Sequence, residues 1–159
     1  MSLVSAISRE YSYFKFFLRL VGRSRKFDKK KYTTVADILE EQVEKTPDNI
    51  AIEFEDKKYS YRDMDNEANK IANWAIGKGY KTGDVISLLM ENKPEYIFNW
   101  FGLAKVGITI ACLNNNIKSK SLAHCIKKSG SKSLIISSDL MENLASAQEH
   151  IDGELDVYT

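Results

Sequence analysis

The chain has 159 residues, 43% hydrophobic and 28% charged, and its formal net charge is +1. This mixture excludes a wholly disordered chain, which would combine low hydrophobicity with high net charge. Two cysteines are too few for a disulfide-stabilised scaffold, and no apolar run is long enough for an orthodox membrane-spanning helix. The length fits one domain of ordinary size.

The charge is unevenly distributed along the chain. Residues 1–31 carry nine basic and two acidic side chains, a net charge of +7, whereas the rest carries 14 basic and 20 acidic side chains, a net charge of −6. This asymmetry predicts a basic tail, residues 1–32, attached to a globular body, residues 33–159.

The tail has an aromatic and aliphatic centre at residues 11–21, interrupted by Lys15 and Arg19 one helical turn apart. A helix that is basic on one side and apolar elsewhere is typical of a segment in a membrane interface. A surface helix packed on its own domain, or on an absent partner domain, is the open alternative. The tail has no recognised groove-reading motif, so we expect no nucleic-acid partner. The predicted membrane-interface residues are Phe14, Phe16, Phe17, Leu18, Leu20, Lys29, Lys30 and Lys31.

The first part of the body predicts a helix, a hairpin and a second helix. Thr34 is positioned to cap the first helix, which stops by Pro47. Ser60 is positioned to cap the second, which ends at two glycines. The predicted hairpin has strands at 50–54 and 58–60 around a turn at 55–57. The predicted buried positions are Val35, Ile38, Leu39 and Val43 on the first helix, and Met64, Ala68, Ile71, Ala72 and Ala75 on the second.

From Asp84 onward, short apolar strands alternate with amphipathic helices. Three helix starts are predicted: the first at Asn92 with Glu95, the second at Ser119, and the third at Asp139 with Glu142. The predicted strands are 85–90, 108–113, 133–137 and 155–159. The predicted inner faces of the helices are Ile97, Trp100, Phe101 and Ala104; then Leu122, Cys125, Ile126 and Ser129; then Leu140, Leu144, Ala147 and Ile151.

This alternation predicts the fold class. The spacing of the strand starts fits strand–helix–strand units, which imply right-handed crossovers and a mainly parallel sheet covered by helices. The expected fold is therefore α/β, with a partial, mainly parallel sheet flanked by helices. Strands 108–113 and 133–137 are apolar enough to be buried on both faces. A strand that runs into the last residue indicates a fragment or an abbreviated product.

Two motifs resemble reactive or binding sites only superficially. The glycine-containing segment 77–83 follows a helix and precedes a strand, the reverse of a dinucleotide-binding fingerprint, so a helix cap and turn is the preferred interpretation. His124 and Cys125 are adjacent on a helix and point about 100° apart, so they do not form one reactive pair. Cys125 is expected in the core and His150 at the surface, and no metal site or catalytic residue is predicted.

One loop is a candidate for a substrate-side role. Asn114, Asn115 and Asn116 follow a predicted parallel strand, and ligands of open α/β sheets collect at that edge. The alternative is a polar turn, whose geometry asparagine tolerates. For Trp74, Phe98, Trp100 and Phe101, packing is preferred over the lining of an acyl tunnel.

Six segments of the body share a family pattern. They are residues 47–52 (PDNIAI), 59–64 (YSYRDM), 83–96 (GDVISLLMENKPEY), 101–107 (FGLAKVG), 113–116 (LNNN) and 122–126 (LAHCI). In this order and spacing they resemble the opening of adenylate-forming enzymes. The last segment is most similar to the fatty acid transport protein and very-long-chain acyl-CoA synthetase group. The resemblance covers residues 33–159 and corresponds to the N-terminal part of the large domain, incomplete in this chain.

The resemblance implies an activity and its cofactors. A fatty carboxylate attacks ATP to give an acyl-adenylate and pyrophosphate, and the thiol of coenzyme A then displaces AMP. Magnesium offsets phosphate charge in the first step. In the transport group this activation is coupled to fatty acid uptake at a membrane, here expected on an intracellular face.

Departures from the family pattern limit what this chain is expected to do alone. The family's Thr-, Ser- and Gly-rich phosphate loop ending in Pro-Lys is absent, as are the later ribose-binding Asp and catalytic Lys. The isolated chain is therefore expected to be inactive and to bind none of ATP, Mg²⁺ or coenzyme A tightly. The alternative function is a non-catalytic module on the same scaffold that binds a membrane surface or a partner.

Overall fold

The computed structural model describes residues 34–159, the second of the two units into which the chain divides. Among these residues, none of the helices combines the length and the hydrophobicity that a bilayer-spanning segment requires. The tail residues for which a membrane-interface role is predicted lie outside the described residues. They are Phe14, Phe16, Phe17, Leu18, Leu20, Lys29, Lys30 and Lys31.

The described chain opens with helix α1, Val35–Lys45, and a two-stranded antiparallel hairpin. The Thr34 side chain accepts a hydrogen bond from the Asp37 amide at 3.2 Å, and Asp37 accepts one from the Thr34 amide at 2.6 Å. This reciprocal capping box satisfies amides that the helix itself leaves unpaired, which confirms Thr34 as the cap. The hairpin strands are β1, Ile50–Phe54, and β2, Lys57–Ser60.

Two predictions for this part were wrong in detail. The hairpin turn is one residue shorter than predicted, because Phe54 pairs with Lys57 across a two-residue loop in which Glu55 has φ +52°. On α1, Val35 and Ile38 are exposed, whereas Ala36 and Leu39 are buried. The buried stripe is narrower than the apolar pattern because α1 packs through one edge, against the two helices that begin at Tyr61 and Pro94.

Helix α2, Tyr61–Gly77, follows the hairpin directly. Ser60 and Asp63 form a second capping box, as the sequence predicted for Ser60. The small residues predicted for its inner face are buried, and this lets the next helix approach closely. The buried residues of α2 are Met64, Ala68, Ala72 and Ala75.

The remaining elements build a four-stranded parallel sheet, which confirms the predicted fold class. The elements are β3, Val85–Leu89; α3, Pro94–Lys105; β4, Thr109–Cys112; α4, Ser119–Ser129; β5, Ser133–Ile136; α5, Met141–Ala147; and β6, Asp156–Tyr158. The strands stand in the order β4-β3-β5-β6, and all neighbouring pairs are parallel. Helices α2 and α3 pack on one face, and α4 and α5 pack on the other. Single 3₁₀ turns at Ser138–Leu140 and Gln148–His150 flank α5.

Burial of the strands follows this order. β5 is buried at every position and β3 at four of its five positions, because each has a strand on both sides. β4 was predicted to be buried on both faces, and this was wrong. It is an edge strand whose four residues are half-buried or exposed. The apolar sequence of β4 does not indicate whether the strand is central or lies at the edge of the sheet.

Helix α3 differs most from prediction. Lys93, and not Asn92, occupies the cap position without a side-chain hydrogen bond, and Pro94 starts the helix. Proline suits this first position because its fixed φ is helical and its missing amide would be unpaired anyway. The buried residues are Pro94, Phe98, Asn99, Gly102 and Leu103. The predicted face was wrong: Ile97, Phe101 and Ala104 are half-buried and Trp100 is exposed.

The last two helices also begin differently from prediction. Lys118 is the cap residue of α4, and Ser119 instead donates its amide to the Ser146 hydroxyl at 2.9 Å. Before α5, Asp139 lies within a 3₁₀ turn, so the α-helix itself begins later, at Met141. Cys125 is half-buried and not a core residue, because Leu122, Ala123 and Ile126 fill the buried face of α4.

Candidate functional site

The strand order creates a crevice at one edge of the sheet. From the carboxyl end of β3 the chain turns to α3 on one face, whereas from the carboxyl end of β5 it turns to α5 on the opposite face. The two connections therefore diverge between neighbouring strands. Ligands of open α/β sheets bind at such a topological switch point, so the loops at residues 90–93 and 137–139 are the candidate site.

An ion pair joins these two loops. Lys93 Nζ lies 2.9 Å from Asp139 Oδ2, although the residues are 46 positions apart. The hydrogen bond from Lys93 lowers the pKa of Asp139, and the same bond raises the pKa of Lys93. Both groups are thus held in their charged forms at neutral pH, and they present a paired cation and anion to any ligand at this edge.

Ser137 directly follows β5 and lies two positions before Asp139. Its amide donates to the carbonyl of Leu89 at 3.1 Å, which extends the β3–β5 pairing by one residue. Its hydroxyl is buried and has no hydrogen-bond partner among the described residues. Buried hydroxyls are normally paired, so this oxygen is a polar group with unused hydrogen-bonding capacity close to the switch point.

Two grooves adjoin the same edge. A polar groove of about 280 Å³ separates the hairpin from the β3–α3 loop and is lined by charged side chains including Glu55, Lys57 and Lys93. A larger groove of about 560 Å³ lies on the α2–α3 face and has mainly apolar walls. Its lining includes Ile71, Trp74, Met90, Glu95, Asn99, Ile135 and Tyr158. This groove combines apolar walls with a carboxylate, a composition typical of small-molecule sites.

The asparagine loop lies at the same edge but one strand away. It follows β4, which is separated from β5 by β3. The Asn114 side chain accepts the Asn116 amide at 2.9 Å, and buried Asn143 donates to the carbonyl of Asn115 at 2.9 Å. These bonds fix the loop as an Asx turn anchored to α5. Its substrate-side role stays a prediction.

The other sequence motifs have structural roles. In the segment 77–83, Gly79 and Gly83 adopt φ of +85° and +93°, and Gly83 donates its amide to the carbonyl of Gly107. The segment ends α2 and enters β3 at the amino edge, which confirms a helix cap and turn. His124 is exposed on α4, and His150 is half-buried beside Glu149 at 3.1 Å.

The large aromatic residues divide between packing and exposure. Phe98 packs edge-on against Tyr59 at 5.3 Å between ring centroids, and Trp74 packs against Tyr158 at 4.8 Å. Trp100 is 39% exposed, and Phe101 beside it is half-buried. Trp74 contributes both to the core and to the wall of the larger groove.

Sequence comparison identifies the family. Residues 39–158, three quarters of the chain, match the family described as AMP-binding enzyme. The chain belongs to this family. Human long-chain fatty acid transport protein 6 is 35% identical over 83% of this chain and 22% of its own length. Rat long-chain fatty acid transport protein 2 is 35% identical over 80% of this chain and 22% of its length. The chain thus spans about a fifth of the length of these relatives.

Solved structures with low sequence identity to this chain share its fold. The anthranilate CoA ligase AuaEII, in complex with anthranoyl-AMP, matches 82% of this chain with a TM-score of 0.74 at 22% identity, over 25% of its own length. The N-terminal subdomain of Klebsiella oxytoca NpsA, in complex with anthranilyl-AMSN, matches 80% of this chain with a TM-score of 0.69 at 22% identity, over 31% of its own length. The expected fold, the N-terminal part of an adenylate-forming enzyme, is confirmed.

Sequence reasoning missed Lys93, Ser137 and Asp139 as site residues. Each lies within four residues after the end of an apolar strand of the parallel sheet, and this position was the available signal. The signal had been applied only to the asparagine loop, because the strand order that makes β3 and β5 neighbours was not known.

Proposed function

We propose that the chain forms part of an ATP-dependent acyl-CoA ligase for long-chain or very-long-chain fatty acids, linked to fatty acid uptake. The observation that carries this proposal is the similarity to long-chain fatty acid transport proteins over about four fifths of the chain. In the proposed reaction the fatty carboxylate attacks the α-phosphorus of ATP and pyrophosphate leaves. The sulfur of coenzyme A then attacks the acyl carbonyl, and AMP leaves.

The contribution of this chain to that reaction is a scaffold with one substrate-facing edge. The parallel sheet holds the loops at 90–93, 114–116 and 137–139 at its carboxyl edge. We place Asn114, Asn115 and Asn116 on the substrate side, where their amides can donate and accept hydrogen bonds. Magnesium supplies charge compensation for the phosphates in such reactions. Among the described residues no group of three or more His, Cys, Asp or Glu could hold a metal ion, so no step through Mg²⁺ is assigned to them.

A chimera tests the scaffold proposal. Residues 34–159 replace the matching segment of human long-chain fatty acid transport protein 6, and oleate-dependent acyl-CoA formation is measured. We expect activity in the chimera and a several-fold loss when all three loop asparagines become Ala. Asn66→Ala, at an exposed position of α2, is the matched control and should have no effect. A folded but inactive chimera would contradict the proposal.

The 159-residue chain alone should not catalyse the first step, since its sequence contains no Thr-, Ser- and Gly-rich loop ending in Pro-Lys. The measurement is ATP–pyrophosphate exchange with oleate, with a heat-inactivated sample as the blank. Exchange above that blank would show that the chain binds ATP productively without the loop.

We further propose that the basic tail attaches the protein to the intracellular face of a membrane. Its charge of +7 attracts anionic lipid, and the apolar side chains bury in the interface. Replacing Phe14, Phe16 and Phe17 with Ser should remove the salt-resistant part of vesicle binding. Replacing Lys29, Lys30 and Lys31 with Gln should remove mainly the part that disappears at high salt, because ions screen charge within about 8–10 Å. Sedimentation with anionic vesicles at two salt concentrations separates the two contributions.

A further inference from the structure

The described residues contain two adjoining segments of opposite charge. Residues 113–138 carry five lysines and no acidic residue, whereas residues 139–159 carry six acidic residues and no lysine or arginine. The first segment includes α4 and the second includes α5, and both helices pack on the same face of the sheet. Positive charge is therefore concentrated on α4 and its two ends.

Four side chains form one basic face on α4. Lys120, His124, Lys127 and Lys128 lie within about 100° of arc around the helix, since each residue advances by about 100°. All four are exposed, while Leu122, Ala123 and Ile126 on the opposite side are buried. Lys118 and Lys132 continue the positive charge beyond the two ends of the helix. We call the four helical residues the α4 basic face.

Most of this charge is unpaired within the described part of the chain. Lys127 forms an ion pair with Asp152 at 2.6 Å. No ion-pair partner is found among residues 34–159 for the other two lysines of the face, Lys120 and Lys128. The same is true of Lys118 and Lys132 beyond the ends of the helix. Elsewhere in the described chain the lysines are mixed: Lys57, Lys78 and Lys81 have no ion pair, and the paired ones are Lys45, Lys58, Lys70, Lys93 and Lys105. The α4 basic face therefore retains positive charge that an external anion can neutralise.

The make-up of the face indicates the kind of partner. Protein interfaces are depleted in lysine and rely on buried apolar or aromatic anchors. None of the large exposed hydrophobic side chains of the described residues lies on α4. Single-stranded nucleic acid is bound through stacked aromatic side chains and arginine, and this face has neither. Exposed lysines that lack neighbouring apolar or aromatic anchor residues can still be attracted by a diffuse layer of negative charge. Anionic lipid headgroups provide such a layer.

We propose that the α4 basic face is a second membrane contact, which lies against anionic lipid headgroups independently of the tail. The acidic residues that follow on α5 and beyond are repelled by the same surface. Because α5 packs on the same face of the sheet, this repulsion limits the contact to the exposed side of α4. This contact does not require acyl-CoA ligase activity.

The test uses the full chain and two variants with equal change of charge. K120Q/K128Q removes the two unpaired lysines of the face. K57Q/K81Q removes two exposed lysines without ion-pair partners in the described chain, on β2 and before β3. Both are compared with the unmodified chain by sedimentation with phosphatidylcholine vesicles containing 30% phosphatidylserine, and with pure phosphatidylcholine vesicles. Each measurement is repeated with Lys29, Lys30 and Lys31 replaced by Gln, so that binding through the tail does not conceal the difference.

We expect K120Q/K128Q to weaken binding to the phosphatidylserine vesicles about tenfold at low salt, in both tail backgrounds. K57Q/K81Q should weaken it less than twofold. Equal losses for the two variants, or no loss for K120Q/K128Q, would overturn the proposal. So would the same loss on pure phosphatidylcholine, or a larger loss of binding to polyglutamate or to a single-stranded oligonucleotide. Circular dichroism verifies that the variants are folded, which is expected because the replaced side chains are exposed.

Discussion

The two faces of the sheet are closed by different means. On the α2–α3 face the helices contact each other closely at Gly102, and Lys105 bridges Glu40 on α1 and Asp65 on α2. On the α4–α5 face the apolar side chains of both helices pack on β3 and β5, and the Lys127–Asp152 ion pair is largely exposed. The first face is held by a close contact between helices and by a largely buried lysine that bridges two carboxylates. The second is held by apolar contacts of both helices with the sheet and with each other, and the outer surface of α4 carries charge.

The largest expected effect is at Gly102, where the α2–α3 contact can be broken directly. A Cβ atom there would lie 2.5 Å from Ile71 Cβ and 2.6 Å from the carbonyl oxygen of Ala68. Because a backbone oxygen cannot move aside cheaply, Gly102→Val should lower the free energy of unfolding by about 3 kcal/mol or more. Urea denaturation of the full chain measures this.

Gly77→Ala is the matched control for Gly102. A Cβ at Gly77 meets nothing within 4 Å, and the residue is the last of α2. Alanine is favoured in helices, so this variant should be neutral or stabilising by up to about 1 kcal/mol. Equal losses at both glycines would show that helix propensity, and not close packing, determines the effect.

The next prediction compares the two ion pairs. The Lys105 side chain is 9% exposed, and its Nζ lies 2.6 Å from Glu40 and 2.9 Å from Asp65. Lys105→Met leaves the half-buried Asp65 without its cation and should lower the free energy of unfolding by about 2 kcal/mol. Lys127→Met on the other face should produce no measurable change, because both partners there are solvated. If the two variants behave alike, burial of the ion pair does not distinguish the faces.

The α2–α3 face should also respond to alkaline pH through Tyr96. Burial raises the pKa of Tyr96 to about 12, and a hydrogen bond with the Cys112 thiol adds to this. An unfolded tyrosine has a pKa of about 10, so the folded chain holds the proton more tightly. This contribution to stability is complete below pH 10 and is lost as the pH rises from about 10 to 12, up to about 2 kcal/mol.

The measurement is urea unfolding at pH 9 and at pH 11. Tyr96→Phe should flatten the loss of stability between these two values, because phenylalanine has no proton to release. Tyr59→Phe serves as the control, since Tyr59 packs on Phe98 at the hairpin and not against Cys112. An unchanged pH dependence in Tyr96→Phe would assign the alkaline sensitivity to other groups.

The sequence predicted the elements and the sheet far better than the contacts between helices. Hydrophobic periodicity and the capping residues Thr34 and Ser60 were sufficient for the first helices, because those signals are local. The predicted inner face of α3 was wrong for two reasons. The contact of α3 with α2 depends on Gly102, which gives no apolar signal in the sequence, and the apolar Trp100 is exposed. The partners of Lys105 are 40 and 65 positions away, so no local pattern could identify them.

The candidate site was predictable only in its location. A parallel sheet predicts that loops after its strands form the binding edge, which is why Asn114, Asn115 and Asn116 were proposed. The strand order decides which of these loops flank the crevice. That order follows from packing across the whole sheet, so the role of Lys93 and Asp139 could not be read from the residues alone.

The smallest expected effect is at the Lys93–Asp139 pair, which connects the two faces at the carboxyl edge. Its partners are exposed enough that Asp139→Asn should leave the urea midpoint at pH 7 almost unchanged. The lowered pKa of Asp139 means that any stabilisation from the ion pair is present above the ordinary carboxyl pKa of about 4 and is lost as the pH falls through the lowered value.

In the chimera, by contrast, Asp139→Asn leaves an unpaired Lys93 cation at the switch point and should change the KM for ATP or fatty acid more than the stability. Asp152→Asn, which breaks a more exposed ion pair away from this edge, is the control and should change neither the stability nor the KM values. If Asp139→Asn lowers the urea midpoint but leaves both KM values unchanged, the pair is a structural link between two loops and the crevice is not the binding edge.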